Sequence, residues 1–103
     1  MTDKEPTITL TYRHYKNVGY YTYNKIKIND YSTLKYIKTN DLVDVKVEDK
    51  SIKQLPPELL SFLEGVDKLK YLEFNCKSLT SIPNIEELHT LLCYCCDSLE
   101  TLP

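Results

Sequence analysis

Four cysteines are the residues of this chain whose type and spacing come nearest to chemistry: Cys76, Cys93, Cys95 and Cys96. Cys93 and Cys96 have the C-x-x-C spacing common in zinc sites, and His89 lies nearby, but such a site usually needs a second pair of ligands. Buried thiols also behave as small hydrophobic side chains. We therefore predict structural free thiols rather than a zinc site, with no metal and no cofactor.

The rest of the sequence shows no catalytic constellation. With only two glycines the chain has no Gly-rich phosphate loop. His14 and His89 have no nucleophile and acid at a recognisable spacing. The sequence thus predicts a protein that is not an enzyme and has no catalytic residues.

Length and charge exclude several classes of function. A chain of 103 residues forms one domain with a modest core. A net charge of −2 gives no basic face for nucleic acid. No apolar run approaches the roughly 20 residues needed to cross a bilayer, and the first residues lack the apolar stretch of a signal peptide. We expect no nucleic-acid or membrane partner and a cytoplasmic location.

The amino-acid usage carries a hint about origin. Alanine and tryptophan are absent, Arg13 is the single arginine, and lysine, asparagine, isoleucine and tyrosine are abundant. The favoured residues have AT-rich codons, which is typical of amoeboid protists and of the large DNA viruses that infect them. A viral origin would place the protein in the host cytoplasm or the virion.

The elements that must position these side chains repeat along the chain. Apolar anchors occupy the first, fourth and sixth positions of successive units: Leu42, Val45 and Val47; Leu69, Leu72 and Phe74; Leu88, Leu91 and Cys93. The second unit follows the first by 27 residues, and the third follows the second by 19. A fainter unit begins at Tyr23. Each full unit ends on Leu-Pro or Ile-Pro, and internal periods near 20 residues indicate a repeat architecture.

This pattern, L-x-x-L-x-L followed by a turn and Leu-Pro, resembles the leucine-rich repeat. The resemblance implies an α/β-type solenoid dominated by strands: a short leucine-rich-repeat array with a parallel sheet, one short helix near 57–65 and an N-terminal β-hairpin cap. It divides the chain into a cap at 1–22 and repeats at 23–103, with units starting near 23, 42, 69 and 88.

The cap and the helix have local signals of their own. Thr7 to Tyr15 alternates apolar and polar residues, as half-buried strands do. Gly19 marks a turn before a second strand that begins at Tyr20, so residues 7–28 are predicted to form a hairpin. Pro57 suits a first helical turn and Gly65 suits a helix end.

The resemblance also gives Cys96 a role. In cysteine-containing repeats an Asn or Cys at the ninth position caps backbone groups where the strand turns. The same count places Lys50 and Lys77 at that position in the earlier units, and neither suits it. A one-residue deletion would let Asp49 and Cys76 take the role instead, so two turn geometries stay open.

Residues between the apolar anchors point to the other side of a strand. Stacked strands would form from them a surface that runs from basic to aromatic, with Lys25 beside Asp44 and Lys46 beside Glu73 as favourable pairs. Packing in the core does not explain a leucine at the outward position of Leu92. The predicted partner-binding residues are Tyr71, Glu73, Leu92, Tyr94, Lys27 and Lys46.

The sequence therefore predicts a noncatalytic protein–protein interaction module that presents a concave parallel-sheet surface to a protein partner. The alternative is a structural subunit of a larger assembly, such as a virus particle. The chain stops at Leu102-Pro103 without a polar capping segment, so we expect either that it is a fragment of a longer array or that a neighbouring subunit or a second copy covers its last strand edge. A third interpretation is a ubiquitin-ligase adaptor, because residues 55–63 loosely resemble the start of an F-box.

Overall fold

A five-stranded sheet forms the framework of the part of the molecule that the structure describes. The computed structural model describes residues 7–66, 69–82, 84–85 and 88–100. The strands are β1 (Ile8–Asn17), β2 (Tyr20–Ile28), β3 (Leu42–Glu48), β4 (Tyr71–Asn75) and β5 (Thr90–Cys93), with a 3₁₀ helix (Tyr31–Tyr36) and one α-helix, α1 (Pro57–Glu64). The strand order is β2-β1-β3-β4-β5.

The predicted hairpin is confirmed. β1 and β2 pair antiparallel from Ile8 opposite Ile28 to Tyr15 opposite Tyr21, with an irregular register next to the turn. Gly19 in the turn has a φ of +75°, a left-handed conformation that glycine adopts without a steric penalty.

The three later strands pair parallel to one another. Val45 of β3 lies opposite Leu72 of β4, and Leu72 lies opposite Leu91 of β5. These partners are 27 and 19 residues apart, the same shifts that relate the repeated apolar patterns. The inward positions of neighbouring strands therefore stand side by side.

The prediction of a parallel-sheet solenoid is wrong. The sheet is mixed, because β1 pairs antiparallel with β2 on one side and with β3 on the other. The fainter unit from Tyr23 does not stack on β3. β1 lies between them, and the boundary proposed between residues 22 and 23 falls inside β2. The ends of the predicted units at Pro83 and at Leu102-Pro103 lie outside the described residues.

The physical reason is that strand alternation has no direction. A period-two pattern sends the same side chains inward whether a strand runs parallel or antiparallel to its neighbour. Ile26 and Ile28 therefore matched the inward anchors of a parallel unit equally well. The hairpin turn instead folds β2 back on β1, and residues 29–41 cross over β1 to reach β3.

A helical layer covers the inner face of the sheet. The predicted helix near 57–65 is confirmed as α1, with Pro57 in its first turn and Gly65 at its C-terminal cap. Leu59, Phe62 and Leu63 of α1 are buried in one core with the inward residues of the strands. Leu59, which belongs to the segment that loosely resembles an F-box, is part of this core. No helix among the described residues is long and apolar enough to cross a membrane.

Burial declines toward β5. Leu69, Leu72 and Phe74 at the inward positions of the second repeat are at most 4% exposed. Their equivalents Leu88, Leu91 and Cys93 are only partly buried against the same core. Within the described residues, the core is therefore closed at β3 and β4 and only partly covered at β5.

Candidate functional site

The outward-pointing side chains of the five strands form one surface, which we call the outer face. It comprises Tyr23, Lys25 and Lys27 of β2, Thr9, Thr11 and Arg13 of β1, Asp44, Lys46 and Glu48 of β3, Tyr71, Glu73 and Asn75 of β4, and Thr90 and Leu92 of β5. Tyr94 follows β5 directly. All six predicted partner-binding residues lie on or beside this face.

Three of them form a hydrogen-bonded network at the centre of the outer face. The Tyr71 hydroxyl donates to Glu73 Oε1 at 2.5 Å, and Lys46 Nζ lies 3.3 Å from Glu73 Oε2. Lys46 also lies 3.5 Å from Glu48. Glu73 is only 8% exposed although it points outward, because its neighbours surround it. The predicted pairing of Lys46 with Glu73 is confirmed.

This network changes the acidity of its members. The hydrogen bond to Glu73, together with burial and the Glu73 charge, raises the pKa of Tyr71 to about 12. The hydrogen bond from Lys46 to the same carboxylate raises the pKa of the ammonium group. Both shifts keep the protons on the donors, so the network stays intact across neutral pH.

Phenol titration tests this network directly. We expect Tyr71 to ionise near pH 12 and Glu73→Gln to return its pKa toward the ordinary tyrosine value of about 10. Because the folded-state pKa is raised, the stabilisation is complete below the unfolded-state pKa and is lost as pH rises through the folded-state value. The measurement is the phenolate absorbance of the wild type minus that of Tyr71→Phe. A Tyr71 titration that Glu73→Gln leaves unchanged would contradict the network.

The β5 side of the outer face is apolar and aromatic. Leu92 lies opposite Glu73 and is 38% exposed, and Tyr94 is 59% exposed. The Tyr94 amide donates to the carbonyl of Phe74 at 2.8 Å, which holds the start of the turn against β4. A leucine and a tyrosine thus stand exposed on a fixed backbone beside the charged network.

The two lysines of β2 lie elsewhere than predicted. Lys27 is opposite Thr9 and Lys25 is opposite Thr11, so Lys25 does not neighbour Asp44, and that predicted pair is wrong. β1 separates β2 from β3, for the reason given above. Lys25 and Lys27 are exposed, and neither forms an ion pair with another residue in the described part of the chain.

Arg13 is the outer-face residue that sequence reasoning missed. Its guanidinium forms an ion pair with Asp44 of β3 and lies over the Tyr21 ring of β2, with Cζ 4.4 Å from the ring centroid. Arg13 therefore ties three strands together. Two features of the sequence could have pointed to Arg13: it is the single arginine, and it lies in a strand long enough to pair on both edges. An open cavity of about 420 Å³ lies beside it, between Tyr23 and Tyr71.

The cysteine positions decide between the two turn geometries. Cys76 Sγ donates to the carbonyl of Val47 at 3.7 Å, and Cys96 Sγ donates to the carbonyls of Phe74 at 3.5 Å and Tyr94 at 3.4 Å. Val47 and Phe74 hold equivalent positions in their units, so the two thiols act alike. The shorter count, with Cys76 at the turn, is confirmed, whereas Lys77 is exposed.

Burial makes the inner thiols poor nucleophiles. Desolvation raises the pKa of Cys76 to about 12 and also raises that of Cys93. Cys95, with a φ of +52°, is exposed instead. The described residues include no group of three or more His, Cys, Asp and Glu side chains placed to hold a metal ion.

Asp49 occupies the turn position of the first repeat, as the shorter count predicts. It is 2% exposed. Its Oδ1 accepts from the Ser51 amide at 2.9 Å and from the Ser51 hydroxyl at 2.8 Å. Its Oδ2 accepts from the hydroxyl of Tyr31, which is also buried, at 2.8 Å. Asp49 thus fixes the end of β3 to the 3₁₀ helix.

Comparison of the chain with models of protein families, with curated proteins and with solved structures finds no match.

Proposed function

We propose that this protein is a noncatalytic interaction module that binds another protein through its outer face, with β3–β5 at the centre of the contact. The observation that carries the proposal is the exposure of Leu92 and Tyr94 beside Glu73, whose carboxylate is held by Tyr71 and Lys46. Interface hot spots pair large aromatic or aliphatic groups with desolvated polar groups of fixed geometry. Fixing them in advance lowers the entropy cost of binding.

The charge distribution describes the partner. Three carboxylates are paired with cations of the same face: Asp44, Glu48 and Glu73. A partner would therefore recognise the centre of the face by its shape and its hydrogen-bonding groups rather than by a net charge. Lys25 and Lys27 lie four strand spacings from β5, or about 19 Å, which is within the width of a standard interface. The partner therefore has an apolar or aromatic group over Leu92 and carboxylates near β2.

The remaining groups support a noncatalytic role without a cofactor. His14 Nε2 lies 2.7 Å from the carbonyl oxygen of Lys38, where the ring joins β1 to the crossover segment. The thiols of Cys76 and Cys96 act as hydrogen-bond donors to backbone carbonyls, a role that requires reduced sulfur. A reducing compartment such as the cytoplasm suits this arrangement.

Site-specific photocrosslinking tests the proposal. A photoreactive amino acid at position 94 is expected to crosslink a distinct protein in extracts of the source cell, identified by mass spectrometry. The same amino acid at Tyr36, which is 77% exposed in the 3₁₀ helix, is the matched control and should not crosslink that protein. Tyr71→Ala should reduce the yield at position 94 about tenfold or more, as expected of an interface anchor.

Binding to the purified partner then separates affinity from folding. Tyr71→Ala and Leu92→Ser should weaken binding while the far-ultraviolet circular dichroism of the protein stays unchanged. Equal crosslinking from positions 94 and 36, or affinity that is indifferent to both substitutions, would contradict binding through the outer face.

One observation favours a second candidate function, a structural subunit docked through its β5 end. Inward residues of the last repeat are only partly buried, while their counterparts in the second repeat are closed off from solvent. A neighbouring subunit in a larger assembly, such as a virus particle, would complete that end of the core.

A further inference from the structure

The two edges of the described sheet differ in how they are protected. β2 carries the exposed lysines Lys25 and Lys27, and charged side chains on an edge strand discourage its pairing with another strand. β5 and the residue after it, Thr90 to Tyr94, contain no charged residue and no proline. The β5 edge, which is four residues long, therefore lacks the charged residues and the proline that keep an edge strand single.

The backbone of β5 has hydrogen-bonding groups directed away from β4. The amides of Thr90 and Tyr94 donate to carbonyls of Lys70 and Phe74. In a strand, the backbone groups of successive residues point to opposite sides. Leu91 and Cys93 therefore direct their amides and carbonyls toward the open edge.

We propose that the β5 edge pairs with the β5 edge of a second copy of this chain, antiparallel about a two-fold axis at Leu92. This inference rests on the second candidate function and names the neighbour. Leu91 would lie opposite Cys93 of the second copy, and Cys93 opposite its Leu91. Because both residues direct their backbone groups outward, each of these pairs exchanges two hydrogen bonds. The amides and carbonyls of Leu91 and Cys93, four groups in each copy, would then all be hydrogen-bonded.

The side chains are self-complementary in this register. On the inner face, the partly buried Leu91 and Cys93 meet their counterparts and extend the core across the axis. On the outer face, Leu92 meets Leu92 at a close, non-hydrogen-bonded pair, and Thr90 meets Tyr94. No like charges face each other within the paired segment. A second copy thus covers the partly buried residues of β5 without placing like charges opposite each other in the paired segment.

Charge substitution at the axis tests the register. We expect the wild-type chain of 103 residues to be a dimer in light scattering coupled to size exclusion. Leu92→Lys places two like charges directly opposite each other and removes an apolar leucine pair, so its dimer dissociation constant should rise about a hundredfold. Leu92→Glu should do the same. An equimolar mixture of the two variants should recover the dimer, because opposite charges then meet at the axis.

Tyr23→Lys is the matched control, since Tyr23 is exposed on the same face of the opposite edge strand, and it should leave the dimer unchanged. Amide hydrogen exchange on the wild type gives a measurement without substitution. Leu91 and Cys93 should become more protected as protein concentration rises, while Val18 at the hairpin turn should not.

Three results would overturn the proposal. They are a wild-type monomer over a wide concentration range, a dimer that survives Leu92→Lys, and folded Leu92→Lys and Leu92→Glu variants that stay monomeric when mixed. None of these would remove the outer-face proposal, which is read from crosslinking to a different protein.

Discussion

Phe74→Ala is expected to lower the free energy of unfolding by about 3–5 kcal/mol. Phe74 is fully buried and lies between Val47 of β3 and Cys93 of β5 in the sheet. Removing its ring deletes apolar contacts with both neighbouring strands and leaves a cavity that a close-packed core fills only in part. Against a typical total stability of about 5–15 kcal/mol, this loss is large enough to unfold much of the protein at 37 °C. Urea denaturation followed by circular dichroism measures it.

Two controls separate the cavity from the general effect of substitution. Phe74→Leu keeps most of the apolar volume and should cost less than half as much. Leu92→Ala removes a leucine from the adjacent strand, but its side chain is 38% exposed, so the loss should be about 1 kcal/mol or less. If Phe74→Ala and Leu92→Ala proved equally costly, Phe74 would not be at the centre of the core.

Asp49→Ala is expected to cost about 3 kcal/mol, because the substitution leaves the buried Tyr31 hydroxyl without its acceptor and frees two donors of Ser51. The buried carboxylate links the end of β3 to the 3₁₀ helix through the Tyr31 hydroxyl. Tyr31→Phe removes only one of the three bonds and should cost about 1–2 kcal/mol. The measurement is again the free energy of unfolding in urea.

The double variant Tyr31→Phe with Asp49→Ala distinguishes the hydrogen bond from other effects of the two substitutions. Its cost should be less than the sum of the single costs, by about 1 kcal/mol, since the shared bond is lost only once. Glu48→Ala is the neighbouring control, because Glu48 is partly exposed and forms an ion pair with Lys46. Its cost should stay within about 0.5 kcal/mol. Strict additivity of the Tyr31 and Asp49 costs would contradict the bond.

The repeated apolar pattern predicted the pairing of β3, β4 and β5 down to the register. Leu42, Leu69 and Leu88 begin units whose sixth residues, Val47, Phe74 and Cys93, stand side by side. This succeeded because a shift in register by one residue would turn every apolar side chain toward solvent. The 27-residue spacing was also informative, since its extra length is the helix α1.

The position of β2 was not predictable in the same way. Its alternation fixes which side chains face the core but not which neighbour the strand takes or in which direction it runs. The hairpin turn at Gly19 was recognised, yet the pairing of β1 with both β2 and β3 depends on the crossover of residues 29–41. That crossover buries Tyr31 and Leu34 under the sheet. The local sequence of residues 29–41 does not indicate over which strand this segment crosses.

The contacts of the candidate site were likewise predictable in one part and not in the other. Tyr71, Glu73 and Lys46 are neighbours because they belong to the parallel strands with matching registers. Arg13 is a neighbour of Asp44 because β1 pairs antiparallel with β3. An interpretation based on parallel repeats could not predict this contact. The near-complete burial of Glu73 also depends on the conformations of surrounding side chains, which spacing does not encode.

The strand order has a consequence for the growing chain on the ribosome. β2, β1 and β3 all lie within the first 48 residues, so their antiparallel sheet can assemble before β4 has been translated. The helix α1 is synthesised next, and β4 and β5 follow it, so each parallel strand emerges after the strand with which it pairs. The strand order therefore allows the sheet to be extended in one direction, from β3 toward β5, as the chain lengthens.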